Sequence, residues 1–196
     1  VLGVATDMSP QSAQGTEGAC ILEFLLGNVE KPGALLQRFP DPPNKVDLGT
    51  MNTLVTGDML EKRLGYREHK GLGIWSHAHI PTVFKAITTG EPYQPRNWME
   101  RSGNKHAMIG NAGQLSEIID KMEMICHLYM YPTAFTIEAA DYVLPTQEWL
   151  ESYFTIAHAN KIIIRQPVVH LYETVNEGVI WSEIAHRCAE LGNPFA

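Results

Sequence analysis

The sequence predicts an α/β fold in three layers, a mostly parallel sheet with helices on both faces. The apolar segments "MICHLYM" (124–130) and "DYVL" (141–144) are continuous rather than alternating, as strands covered on both faces must be. Between such segments lie stretches of helical spacing about ten residues long, "IPTVFKAITT" and "NAGQLSEIIDKME" among them. That is the kind of crossover a parallel pair of strands needs. A chain of 196 residues suits one domain or one with a short appendage, and can bury roughly two thirds of the surface its unfolded form exposes.

"VLGVAT" (1–6) reads as a first strand and "DMSPQS" as its loop. Ser12 to Leu26 then carries Ala13, Thr16, Ala19, Cys20, Leu22, Phe24, Leu25 and Leu26 at helical spacing, with Gly27-Asn28 as its stop. "FPDPPNK" holds three prolines in seven residues and is a loop. "TGDMLEKRL" follows as a short helix that Thr56 or Asp58 can cap. "GIWSH" (73–77) reads as a short strand or loop, and "IPTVFKAITTG" as a helix with Pro81 in its first turn and Gly90 at its end. A polar loop is expected over 91–104, then a strand at "KHAMIG" (105–110), a helix at "NAGQLSEIIDKME", and the strands "MICHLYM" and "DYVL". "NKIIIRQPVV" (160–169) reads as an edge strand, because Pro167 cannot donate to a ladder. "EGVIWSEIAHRCAELG" is the last helix, ended by Gly192.

Composition excludes several classes. The formal net charge is -7 and no basic run is present, so nothing in the chain neutralises phosphates as a nucleic-acid surface does. No segment approaches the roughly 18 consecutive apolar residues of a membrane span, and the first residues lack the basic start of a signal peptide. Cys20, Cys126 and Cys188 are far apart with no CxxC pair, which supplies no disulfide framework, iron-sulfur nest or zinc ribbon. The chain opens without methionine on an apparent strand and closes on "GNPFA", so it reads as an excerpt of a longer polypeptide.

In a doubly wound, Rossmann-like sheet, ligands bind where strands end and helices begin. Three loops qualify: Asp7-Met8, "GNAGQ" (110–114) and "MYPTAFT" (130–136). The glycines around Asn111 allow close backbone approach, and Thr133 and Thr136 offer hydroxyls. Tight turns and helix caps account for the same residues equally well. GxGxxG is absent, and with it the nicotinamide fingerprint. His77 and His79 form an HxH pair without a third ligand in register, which favours structural roles. Cys126 and His127 neighbour each other on a strand and face opposite ways, unlike a nucleophile and its base. Glu117, Asp120 and Glu123 share a polar helix face, whose default reading is solvation.

The loops, taken together and in order, carry a resemblance. "GVATDMSPQSAQGTEGACILEFLLGNVEKPGA" is similar to the stretch of molybdopterin oxidoreductases, the dimethyl sulfoxide reductase and formate dehydrogenase family, that runs G-x-A-x-D, a helix, then L-x-GN-x-x-KPGG. "VFKAITTGEPY" and "AMIGNAG" resemble that family's helix and its G-x-NP turn, here with Ala112 for the proline. "YPTAFTIEAADYVLPTQEWLE" resembles TPTA-x-x-ADYVLP-x-x-x-WLE, the most specific of the matches, and "VIWSEIAHRCAELGNPF" the helix ending LA-x-x-LG.

The resemblance implies a parent enzyme with a molybdenum or tungsten bis(molybdopterin guanine dinucleotide) cofactor held between α/β domains, performing an oxygen-atom, hydride or hydration step, in settings such as anaerobic respiration. This chain would be its middle: residues 1–36 the tail of one cofactor-binding α/β domain and 37–196 most of the next. The family's amino-terminal cysteine cluster and its metal-ligating residue have no counterpart here. Partners implied are the remaining domains of the parent and an iron-sulfur electron-transfer subunit. By motif position, one guanine dinucleotide half of the cofactor would touch Asp7, Met8, Gly110, Asn111, Ser116, Tyr129, Met130, Thr133, Thr136 and Thr146. The acidic residue that the family often places at the strand end, where it accepts from guanine, is here Tyr129-Met130. The competing readings are a non-catalytic homologue kept for structural or subunit contacts, and a free-standing flavodoxin-like module. Asp141, at the strand's start and away from the ligand-facing loops, is expected to be structural.

Overall fold

The computed structural model describes residues 11–34, 57–69, 78–158 and 161–193. Its helices are α1 (Ser12–Leu25), α2 (Gly57–Lys62), α3 (Ile80–Thr89), α4 (Lys105–Met108), α5 (Ala112–Ile119), α6 (Ala134–Ala139) and α7 (Glu177–Glu190). Its strands are β1 (Asn97–Arg101), β2 (Met124–Tyr129), β3 (Tyr142–Pro145), β4 (Phe154–His158) and β5 (Lys161–Arg165). β1, β2 and β3 form a parallel sheet in that order, with Glu100 opposite His127 and Leu128 opposite Leu144. The expected α/β class with a parallel sheet flanked by helices is the one observed. The expected strand "VLGVAT", the loop "FPDPPNK", the segment "GIWSH", Asp7 and Met8 lie outside the described residues.

The chain divides into two compact units, residues 1–45 with 156–163, and residues 46–155 with 164–196. The first contains α1, which ends as foreseen at a left-handed Gly27; no residue of α1 is buried, and Phe24 and Leu25 stand 69% and 80% exposed. The second contains the three-stranded sheet. Four successive residues of β2, Ile125 to Leu128, are buried, so both faces are covered and the run has no polar alternation to show. Phe84 and Ile87 of α3 pack with Leu115 and Ile118 of α5, and Trp98 of β1 closes on them. Burying a side chain of this size contributes roughly 1.5–3 kcal/mol, which makes this cluster the anchor of both helices. Pro81 sits in the first turn of α3, and Gly90 ends it in the left-handed conformation, as the sequence anticipated.

Two expectations fail between residues 91 and 110. β1 runs through the expected loop, and "KHAM" is the helical turn α4 rather than a strand. The polar letters of "NWMER" hide the strand, because its inward Glu100 is satisfied locally. One Glu100 oxygen accepts from Trp98 Nε1 at 2.9 Å and the other pairs with Lys105 Nζ at 2.9 Å. Ser102 and Gly103, both at positive φ, turn the chain out of the strand, and Asn104 Oδ1 accepts from the Phe135 amide at 3.3 Å. "NKIIIRQPVV" does supply a strand, β5, ended before Pro167, but it pairs with β4 in a separate two-stranded sheet.

Asp141 opens β3 at the end of the sheet where β2 also starts. Its carboxylate accepts from the Ile125 amide at 2.7 Å, while its own amide donates to the Ile125 carbonyl at 2.8 Å. The bond is to the neighbouring strand rather than to the preceding turn, and it closes the ladder at its amino-terminal end. Asp141→Ala removes a charge-assisted bond and leaves the Ile125 amide without its partner, so chemical denaturation should show a loss of about 1–3 kcal/mol. Ligand affinity per folded molecule should stay unchanged.

Candidate functional site

β1, β2 and β3 all end on the same side, at Arg101, Tyr129 and Pro145. Beyond Pro145 the chain makes one further parallel bridge, Thr146 with Val175, in which Gln147 N donates to Val175 O and Val175 N to Pro145 O, each at 3.2 Å. That bridge delivers Asn176, whose side chain caps α7 by accepting from the Gly178 amide at 3.0 Å. Strand ends on one side and the α7 amino terminus on the other enclose a cavity of about 650 Å³. Its volume lies in the range of small-molecule and cofactor sites.

Five aromatic side chains, Tyr129, Trp149, Tyr153, Phe154 and Trp181, line the cavity with Arg101, Arg165 and Glu177. Glu177 pairs with Arg101 and accepts from Trp181 Nε1 at 3.1 Å. Arg165 lies over the Phe154 ring, 5.4 Å from its centroid, and donates to the Ser152 hydroxyl at 2.6 Å. Flat faces for stacking, two cations and a carboxylate together suit a ligand with a ring and a charged tail.

The residues singled out from the sequence do not all meet there. Tyr129, Met130 and Thr146 line the cavity. Thr133 and Thr136 form a capping box on α6, each hydroxyl bonded to the other's amide, and Thr136 is buried. Gly110 and Asn111 link α4 to α5. Asn111 takes a left-handed conformation at φ 64° and its side chain accepts from Gln114 N, a geometry that asparagine tolerates. Nothing lies within 4 Å of where a Cβ on Gly110 would sit, so that backbone has an open face. Ser116 lies within α5, where its hydroxyl donates to the Ala112 carbonyl at 3.2 Å. His79 bonds Thr82 at 3.0 Å and packs on His69. Among the described residues no group of three or more His, Cys, Asp or Glu is arranged to hold a metal.

Behind Tyr129 lies a buried polar group. His127 stacks on the Tyr129 ring, 5.6 Å away and 17° from parallel, and meets the edge of Phe135. Burial lowers its pKa, opposed in part by the Glu100 carboxylate. Its strand neighbour Cys126 is buried and its thiol is pushed up, which leaves it inert.

Between the lining residues Trp149 and Ser152 lies Glu151, 4% exposed. Its carboxylate accepts from the amides of Leu171 at 2.8 Å and Glu148 at 3.3 Å and from the Thr174 hydroxyl at 3.4 Å. The Leu171 bond is the main reason its pKa lies below the ordinary value. Sequence reasoning missed Arg101, Glu151, Arg165, Glu177 and Trp181. The available signal was Asn176-Glu177, a capping residue and an acid opening a helix just after an apolar valine.

No family model matches the chain. It is 26% identical to acetylene hydratase of Syntrophotalea acetylenica over 176 aligned positions, covering 76% of this chain and 23% of the relative. The fold matches the solved acetylene hydratase from Pelobacter acetylenicus with a TM-score of 0.74 and 20% identity, over 96% of this chain and 29% of that one. The chain thus spans about a quarter of the length of the proteins it matches. The sequence likeness agrees with the resemblance drawn from the motifs, and the structural likeness bears out the fold.

Because Glu151 has a depressed native pKa, its carboxylate contributes stability that is present above the ordinary glutamate value of 4.5 and lost as pH falls through the native value. In thermal melts across acid pH, Glu151→Gln should be less stable than the parent at neutrality. The gap should narrow below pH 4.5.

Proposed function

We propose that this chain is the central α/β part of a molybdopterin-dependent enzyme and that its strand-end cavity grips one guanine dinucleotide half of a bis(molybdopterin guanine dinucleotide) cofactor carrying molybdenum or tungsten. The observation that carries the reading is positional. Tyr129, Met130 and Thr146, marked by motif alone, line one cavity at the carboxyl ends of parallel strands, where such sheets bind nucleotides. The donor set fits a nucleotide: aromatic faces for a base, Arg101 and Arg165 for phosphates, and the α7 amino terminus beside them.

The fit also suggests how base selection survives without an acid at the β2 end. Glu177 is the acidic residue among those lining the cavity, and its side chain is 26% exposed. It takes the role of acceptor for the guanine N–H groups, held in place by Arg101 and Trp181. When bound, the cofactor supplies the reacting metal. This chain's residues bind and orient the dinucleotide and exclude water from it.

The reaction class follows the relative rather than the family label. The name acetylene hydratase denotes addition of water, so likeness to it supports an enzyme of this cofactor class without assigning redox chemistry. Other domains of the parent complete the site, and an iron-sulfur subunit is a partner only if the reaction moves electrons.

The test uses the full-length protein. Acid release should yield guanosine monophosphate in a fixed ratio to molybdenum or tungsten, and neither metal nor nucleotide would sink the reading in favour of a non-catalytic homologue. In this chain, Glu177→Ala should weaken guanosine diphosphate binding about tenfold and abolish its advantage over adenosine diphosphate, measured by calorimetry.

A further inference from the structure

Among the described residues the sheet runs β1, β2, β3, so β1 has one neighbour and one open side. The Arg96 carbonyl accepts from the Glu123 amide at 2.8 Å, and the Ser102 amide donates to the Leu128 carbonyl at 2.9 Å. Backbone groups along a strand alternate from side to side with a period of two residues. Trp98 and Glu100 therefore face β2 as well, whereas the N–H and C=O groups of Asn97, Met99 and Arg101 face away from it. The turn and loop bonds among the described residues engage none of these outward groups.

The open side is a groove. It holds about 540 Å³ between β1 and the stripe Ile80, Val83, Phe84 and Ile87 of α3. Ile80 and Met108, both in its lining, stand 53% and 65% exposed, which gives it an apolar mouth. Met99 lies on the opposite face of the strand from Trp98 and Glu100, yet all three line the groove. A groove lined from both faces must run along the strand's edge. A helix wall beside an unpaired edge is the geometry in which an extended peptide adds itself to a sheet.

Proteins close exposed edges with prolines and unpaired charges, and β1 has neither. No proline lies within Asn97–Arg101, and its two charges are turned elsewhere, Glu100 to Lys105 and Trp98, Arg101 to Glu177. The opposite edge differs, because β3 ends in Pro145 and the chain serves that end itself through the bridge of Thr146 with Val175.

We infer that the free edge of β1 is a docking site for an extended segment of the parent polypeptide from outside residues 1–196, which adds a strand to the sheet and lays its apolar side chains against α3. The aligned stretch is 23% of the relative, so most of a polypeptide of that kind lies outside this chain and can supply the segment. Its chemistry follows from its surroundings. One face of the added strand meets the apolar stripe of α3, and the other runs beside the exposed Asn97 and Arg101. The segment therefore alternates apolar with polar residues over about five positions, the length of β1. The inference rests on the proposed place of this chain within a longer enzyme.

Residue-resolved hydrogen exchange in the full-length protein tests the pairing. The Met99 amide should exchange at least about a hundredfold slower than an open-chain amide; exchange at the open-chain rate overturns the inference. Met99→Pro deletes an outward N–H and no bond to β2, and an open edge tolerates proline. The full-length variant should melt well below Met99→Ala, and equal melting overturns the pairing. A photoreactive benzoylphenylalanine in place of Ile80 identifies the occupant. A crosslink to the same polypeptide outside residues 1–196, in a segment of alternating pattern, is expected; a crosslink within 1–196, to a second molecule, or none overturns the assignment. If the full-length protein holds neither metal nor nucleotide while Met99 is protected and the crosslink is found, the cofactor reading fails and the docking site stands.

Discussion

The second unit depends on β2 being covered on both faces. A strand with four consecutive buried residues must find cover above and below and a partner on each edge, and those demands fix the neighbours. β1 and β3 pair with it in parallel, which forces each connection to cross back over a face with helical segments: α4 and α5 before β2, and α6 after it. The carboxyl ends of all three strands then fall together. The cavity is a by-product of that parallel arrangement, and the same burial pushes the pKa of His127 down.

The legible parts of the fold were those in which side-chain type and period carry one message. β2, β3, α3, α5 and α7 were plain because their apolar residues form an unbroken run or recur at helical spacing, and Gly90 and Gly192 stop helices as backbone geometry demands. β1 was hidden because Glu100 is buried with its own satisfying partners, Trp98 and Lys105, supplied within five residues. A carboxylate that brings its own cover looks like surface when read as a letter. "KHAM" misled for the converse reason, since a short apolar-basic string has no period long enough to separate a turn of helix from a strand.

Legibility of the site split in the same way. Tyr129, Met130 and Thr146 follow from strand ends and motif order. Thr136 lies on the expected loop but is buried against His127, a placement that residue type does not reveal. Glu151, Arg165 and Glu177 come from segments far along the chain and converge only through tertiary pairing. The exposed apolar residues of β5, Ile162, Ile163 and Ile164, at 53–66%, are a sequence feature of a different kind. They are strong β-formers that the described residues leave in contact with solvent.

The bridge between Thr146 and Val175 separates two tasks that a binding loop usually has to combine. The chain leaves the sheet at one of these residues and returns at the other, and Glu151 ties its outgoing arm to its returning arm near the root. Strand β3 and helix α7 are therefore registered to each other by pairing at the base, whatever lies between. Lengthening a loop whose ends are already fixed costs only about 0.6 kcal/mol per doubling. Changes of length between Phe154 and Arg165 would therefore leave the pairing at the base in place, while Trp149, Tyr153, Phe154 and Arg165, from the same stretch, line the cavity itself.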